Sequence, residues 1–264
     1  MLMLVLYLFI ILILCPVICG CVISMTNKFF YSICGNKSKS VCLTTSIIGT
    51  PIHELGHAFF CLIFGHKIVD MKLLQWNENT LGYVSHTYNK KNIYHNIGNY
   101  FIGIGPIIFG GVIQLLLSML LCPDLFDSLK WSINTINLYE LNLLNFLSFS
   151  LDYIENLFSI SNFTNIWWWI YIIICLNIAI HMDLSGSDIK AAKFGILFLI
   201  VFIVLISLIL YFVFYNFLDI ITSYFIMLIN LMIVFSIISI LFSLIIDVIG
   251  LLIVLFRKVV KKNG

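Results

Sequence analysis

A helical crossing of a lipid bilayer takes about 20 consecutive apolar residues, and this chain supplies such runs near residues 1–25, 43–65, 97–122, 166–187, 193–218 and 223–256. Runs of that length constrain the fold more tightly than any other feature. They read as an all-α polytopic membrane protein with about six transmembrane helices. The last run is long enough to tilt or to hold a break near Asp247, which widens the count to about five to seven. Composition agrees: 62% of the 264 residues are hydrophobic, 10% are charged and the mean hydropathy is +1.11, far outside the soluble globular range. A net charge of +2, with the lysines scattered through loops and the C-terminus, excludes a nucleic-acid partner.

The basic residues give a direction. Lys67, Lys72, Lys90, Lys91, Lys190, Lys193, Arg257, Lys258, Lys261 and Lys262 fall on one side of the expected topology. Lys28, Lys37, Lys39 and Lys130 fall on the other. The positive-inside rule then places both termini in the cytoplasm. The eight cysteines lie within or beside apolar runs, without zinc-knuckle pairs, and read as small apolar fillers. Ile18-Cys-Gly-Cys21 has no basic segment ahead of its apolar run, so the first helix is expected to be retained.

Two connections are more than linkers. Residues 68–76 and 81–88 are strand-like runs around the polar turn Asn77-Glu-Asn-Thr80 and predict a β-hairpin. The segment 122–165 mixes Asp124, Asp127, Glu140, Asp152 and Glu155 with apolar residues and predicts an interfacial amphipathic helix on the outer side.

The chemistry concentrates in His53-Glu-Leu-Gly-His57. In a helix, positions i and i+4 stand on one face, so both imidazoles can address a single point. A catalytic zinc takes three protein ligands and leaves a position for water, and the glutamate of an HExxH helix serves that water as general base. Glu54 fills that place. The same pattern arises by chance on soluble helices, where it means nothing. At membrane depth ionisable groups are unfavourable by a few kcal/mol each and mark functional sites. His66 reads as a solvated interfacial residue, and His86 and His95 as surface residues. His181 reads equally as a ligand, a partner of a ligand or a satisfied core histidine.

The motif and its setting resemble the site-2 protease type of intramembrane zinc metalloprotease. The likeness rests on His53-Glu-Leu-Gly-His57 in an early membrane helix, on the hairpin after it, on Gly103-Ile-Gly-Pro-Ile107 opening the next membrane helix, and on a later aspartate-bearing helix. Within that type, Tyr94-His-Asn-Ile-Gly-Asn-Tyr-Phe-Ile-Gly-Ile-Gly-Pro-Ile-Ile108 is similar to a bacterial branch of small membrane metalloproteases. The resemblance implies a Zn2+ cofactor, peptide-bond hydrolysis within or beside the bilayer of a bacterial cytoplasmic membrane, and a membrane protein or peptide as substrate. It divides the chain into an N-terminal anchor helix and loop at 1–42, a metalloprotease membrane core at 43–192, and C-terminal helices with a basic tail at 193–264.

The chain departs from the type in two places. The Leu-Asp-Gly element that carries the third ligand is replaced by Asn177-Ile-Ala-Ile-His-Met-Asp-Leu-Ser-Gly-Ser-Asp188, and Ile107-Ile-Phe-Gly-Gly-Val stands where an asparagine is usual. The third ligand is thus open among Asp188, Asp183 and His181. The turn-forming Leu184-Ser-Gly-Ser187 and the likeness of the late Leu-Ser-x-x-Asp pattern to the ligand-bearing element favour Asp188, the ordinary alternative being that Asp188 caps the next helix. The competing class is a non-proteolytic membrane protein, an immunity-type factor or a metal transporter that passes ions through His53, His57 and Asp188. Against it stands Glu54, since a purely structural metal site has no use for a base.

Overall fold

A computed structural model of the chain describes residues 2–76, 80–128, 151–213 and 236–256. It is mostly helical, with one small two-stranded sheet. The elements are α1 (Leu2–Phe9), a π turn at Ile10–Leu14, α2 (Cys15–Cys34), α3 (Ser38–Ile63), β1 (Lys67–Lys72), β2 (Tyr83–Thr87), α4 (Ile93–Leu121), α5 (Ile166–His181), α6 (Gly186–Val213) and α7 (Ser236–Phe256). Among the described residues four helical stretches are long and apolar enough to cross a membrane: Val5–Ile63, Ile93–Leu121, Gly186–Val213 and Ser236–Phe256.

Several boundaries differ from those read in the sequence. The expected loop at 26–42 is helical except for a single 3-10 turn at Gly35–Lys37. Gly35 adopts φ 53° at that turn, a positive value that costs glycine little. α4 begins at Ile93, where the Asn92 side chain accepts the Tyr94 amide at 2.9 Å. Gly103-Ile-Gly-Pro106 therefore lies inside that helix and does not open it. α5 stops at His181 after 16 residues, and α7 passes Asp247 without a break. The hairpin forms as expected with shorter strands, antiparallel in the register Ile68↔His86 and Lys72↔Tyr83, and with an irregularity between Ile68 and Asp70. Residues 77–79 of its turn, residues 129–150 of the outer acidic segment and the basic tail at 257–264 lie outside the described residues.

α4 is the hub of the bundle, packed against α3 on one side and α6 on another. Small residues permit the approach. A Cβ on Gly56 of α3 would stand 3.0 Å from the backbone of Gly105 and from Pro106 Cα, and one on Gly103 would stand 2.5 Å from the Asp188 carbonyl oxygen. Such contacts replace the hydrophobic driving force that lipid does not provide between helices. α6 buries only Gly195, Leu199, Ile203 and Ser207, one stripe four residues apart. Its other faces expose Phe194, Leu197, Phe202 and Phe212, an apolar exterior suited to lipid. Several polar side chains inside the bundle find partners there, whereas Trp168 Nε1 and one carboxylate oxygen of Asp247 have none among the described residues. Asn27 donates to the Ile180 carbonyl at 2.8 Å, and Gln114 donates to Cys175 and accepts from Ser239. The eight cysteines are all free.

Candidate metal centre

α3 places His53 and His57 one above the other, with Nε2 atoms 3.1 Å apart. Their other ring nitrogens are committed. His53 Nδ1–H donates to the His181 carbonyl at 2.6 Å, and His57 Nδ1–H donates to the Ile102 carbonyl at 2.7 Å. A carbonyl can only accept, so both neutral rings carry their proton on Nδ1 and aim the Nε2 lone pair at the same point.

Both acceptor carbonyls are ones a helix leaves over. His181 is the last residue of α5, where the final carbonyls have no amide ahead of them. Ile102 lies inside α4, four residues before Pro106, and proline has no N–H to return to it. The orphaned carbonyl is the one that His57 uses. Pro106 thus carries a functional consequence that the sequence reading did not draw, although the spacing from Ile102 to Pro106 was its signal.

Asp188 supplies a third acceptor. Its Oδ1 lies 3.4 Å from His57 Nε2 and its Oδ2 lies 3.8 Å from His53 Nε2. The carboxylate is held by a reciprocal cap at the start of α6: the Ser185 amide donates to Asp188 Oδ2 at 2.7 Å, and the Asp188 amide donates to Ser185 Oγ at 3.3 Å. Capping the helix and facing the histidines, weighed as alternatives in the sequence, are performed by the same side chain. Ligand atoms set tetrahedrally around zinc at about 2.0–2.1 Å are about 3.3–3.4 Å apart, close to the spacings of this trio. With both rings neutral, three lone-pair acceptors converge with no donor among them, and carbonyl-anchored imidazoles are the usual support of metal ligands. The donor set fits a zinc ion. The side chains of His53 and Asp188 are each 13% exposed and that of His57 is 9% exposed, so all three are largely buried.

The other residues weighed for the site stand elsewhere. The His181 ring is turned to Thr45 Oγ1 at 2.9 Å and Thr50 Oγ1 at 3.4 Å, and only its carbonyl serves His53. Asp183 faces α2 beside Ser24 and Lys28, and burial raises its carboxyl above the usual range. Glu54 is buried next to His53, with the hairpin against it: a Cβ on Gly82 would lie 2.8 Å from Glu54 Cγ and 3.0 Å from Oε1.

His66 and His86 differ from the solvated and surface residues expected. His66 is only 4% exposed and meets His86 Nδ1 to Nδ1 at 3.0 Å. Burial, then the neighbouring His66 and His57 rings, push the His86 imidazole down to about 4, and burial also lowers His66. His95 is half-buried, and its carbonyl accepts His66 Nε2–H at 2.8 Å.

No protein-family model, curated protein or solved structure matches the chain.

Proposed function

We propose that this chain is an intramembrane zinc metalloprotease that hydrolyses peptide bonds of membrane-embedded or membrane-adjacent proteins, with its termini in the cytoplasm and about six crossings. One observation carries the reading: two imidazoles whose Nδ1 protons are tied to orphaned carbonyls turn their lone pairs, with the Asp188 carboxylate, onto one point beside Glu54. His53, His57 and Asp188 hold the ion. When bound, zinc supplies Lewis-acid polarisation and acidified water. Glu54 takes the proton from the attacking water and passes it to the nitrogen of the leaving amine.

The hairpin assists the substrate. A helical substrate has all its amides paired and must unwind before attack, and an extended segment gains main-chain hydrogen bonds by adding to a strand edge. Gly82, the residue before β2, brings the hairpin directly against Glu54, so the hairpin and the base lie together. A metal transporter needs neither a base beside the ligands nor an edge above them.

The test pairs metal content with cleavage. Purified wild type should hold zinc that His53→Ala loses, and should cleave single-pass membrane proteins that Glu54→Gln leaves intact. Cleavage that persists in Glu54→Gln refutes the protease reading, whereas a zinc content in His53→Ala undiminished from wild type refutes the ligand set.

A further inference from the structure

The end of α3 carries a second cluster of metal-binding side chains that the protease reading does not use. α3 closes on a Schellman motif: the Gly65 amide donates to the Leu62 carbonyl at 3.3 Å, the His66 amide donates to the Cys61 carbonyl at 2.8 Å, and Gly65 sits at φ +68°. This closure folds the residue after the glycine back over the one five places earlier. In this motif an apolar pair frequently meets there. Here the pair is His66 and Cys61, the latter fully buried.

The hairpin delivers the third member, since Ile68↔His86 pairing sets His86 beside the end of α3. The Cys61 Sγ atom and one ring nitrogen each of His66 and His86 lie within 4.8 Å of one another. The tautomer of His66 is settled by its neighbour: Nε2–H donates to the His95 carbonyl, so Nδ1 carries the lone pair. That lone pair points at His86 Nδ1, and the Tyr88 ring stacks on His66 at 4.7 Å and 14° and holds it in place.

We propose that Cys61, His66 and His86 form a second zinc site, distinct from the one at His53, His57 and Asp188, which clamps the hairpin onto the end of α3. A thiolate with two imidazoles is a donor set for a borderline-soft ion such as zinc. Binding converts the Cys61 thiol to a thiolate and releases its proton to solvent, while both histidines bind as neutral rings. The carbonyl that anchors His66 belongs to the first turns of α4, so one ion ties together α3, the hairpin and α4. Because Gly82 of the same hairpin rests on Glu54, the clamp fixes how the strand lies over the first site.

Cobalt separates the two sites, because only one of them contains sulfur. The full chain, purified in detergent and loaded with Co2+, should show a thiolate-to-cobalt charge-transfer band in the near ultraviolet. Cys61→Ser and His86→Ala should abolish that band, while His57→Ala and Glu54→Gln retain it. With zinc, the content should fall from about two ions per chain to about one in Cys61→Ser and, independently, in His57→Ala. His86, half-exposed on a strand, carries the test if Cys61→Ser does not fold. A wild type without the band, or a band that survives Cys61→Ser, overturns the second site and means that His66 and His86 share only a hydrogen bond. Loss of the ion from His57→Ala bears on the protease site alone.

Discussion

His57 donates its Nδ1–H at 2.7 Å to the carbonyl of Ile102, the one carbonyl in the middle of α4 that Pro106 deprives of a helical amide. A break in one helix is thereby used to orient a side chain of the next. A side chain also meets a backbone carbonyl in the π turn, where Tyr100 Oη donates to the Leu12 carbonyl at 2.6 Å.

Pro106→Ala restores an N–H that competes with His57 for the Ile102 carbonyl. Losing a partner of this kind lowers metal affinity by roughly 10–100-fold. Competition with a fluorescent chelator should show that loss, with the helical circular dichroism unchanged. Unaltered affinity would mean that the proline serves only helix packing.

Glu54→Gln keeps the shape of the side chain and removes its basicity. Zinc content should stay at the wild-type level, and hydrolysis should fall by about 10²–10⁴-fold, the usual contribution of a general base. Zinc lost together with activity would make Glu54 a ligand.

His181→Ala and Asp188→Ala should behave oppositely. The first removes a ring bonded to Thr45 and Thr50 but leaves the carbonyl that holds His53, so zinc should be retained. The second removes a carboxylate 3.4 Å from His57 Nε2, and zinc occupancy should drop as in His57→Ala. The reverse pattern in elemental analysis would move the third ligand to His181.

Ser185→Ala separates the cap from the metal. It removes the hydroxyl that accepts the Asp188 amide but keeps the Ser185 amide that holds Asp188 Oδ2. Stability in a denaturant titration should fall by about 0.5–2 kcal/mol, with zinc still bound. Zinc loss as large as that of Asp188→Ala would show that the hydroxyl, too, is needed to aim the carboxylate.

Gly82→Val adds a side chain where a Cβ already stands 2.8 Å from Glu54 Cγ. Displacing the base by about 1 Å should cost on the order of 100-fold in cleavage, while zinc is retained. Wild-type cleavage rates in this variant would place the working position of the hairpin away from Glu54.

The apolar runs determined that the chain would be helical and membrane-sized, because the length of a crossing is a property of each segment by itself. The pairing of His53 with His57 was legible for the same reason, since a helix brings i and i+4 together without help from the rest of the chain. Alternation of residue types likewise marked the hairpin. The continuation of helix through 26–42 was hidden, because polar Thr26 and Asn27 read as loop residues until Ser243 and the Ile180 carbonyl are seen to satisfy them across the bundle. Which of Asp183, His181 and Asp188 stands beside the two imidazoles was also beyond the sequence. It depends on α6 lying against Gly103 of α4 and on the Ser185 cap turning one carboxylate inward, whereas Asp183, a few residues earlier, faces α2. His66 and His86 looked like surface residues for the same physical reason: their encounter is made by a helix cap and a strand register acting together, and a long-range contact of that kind exists only once the chain has packed.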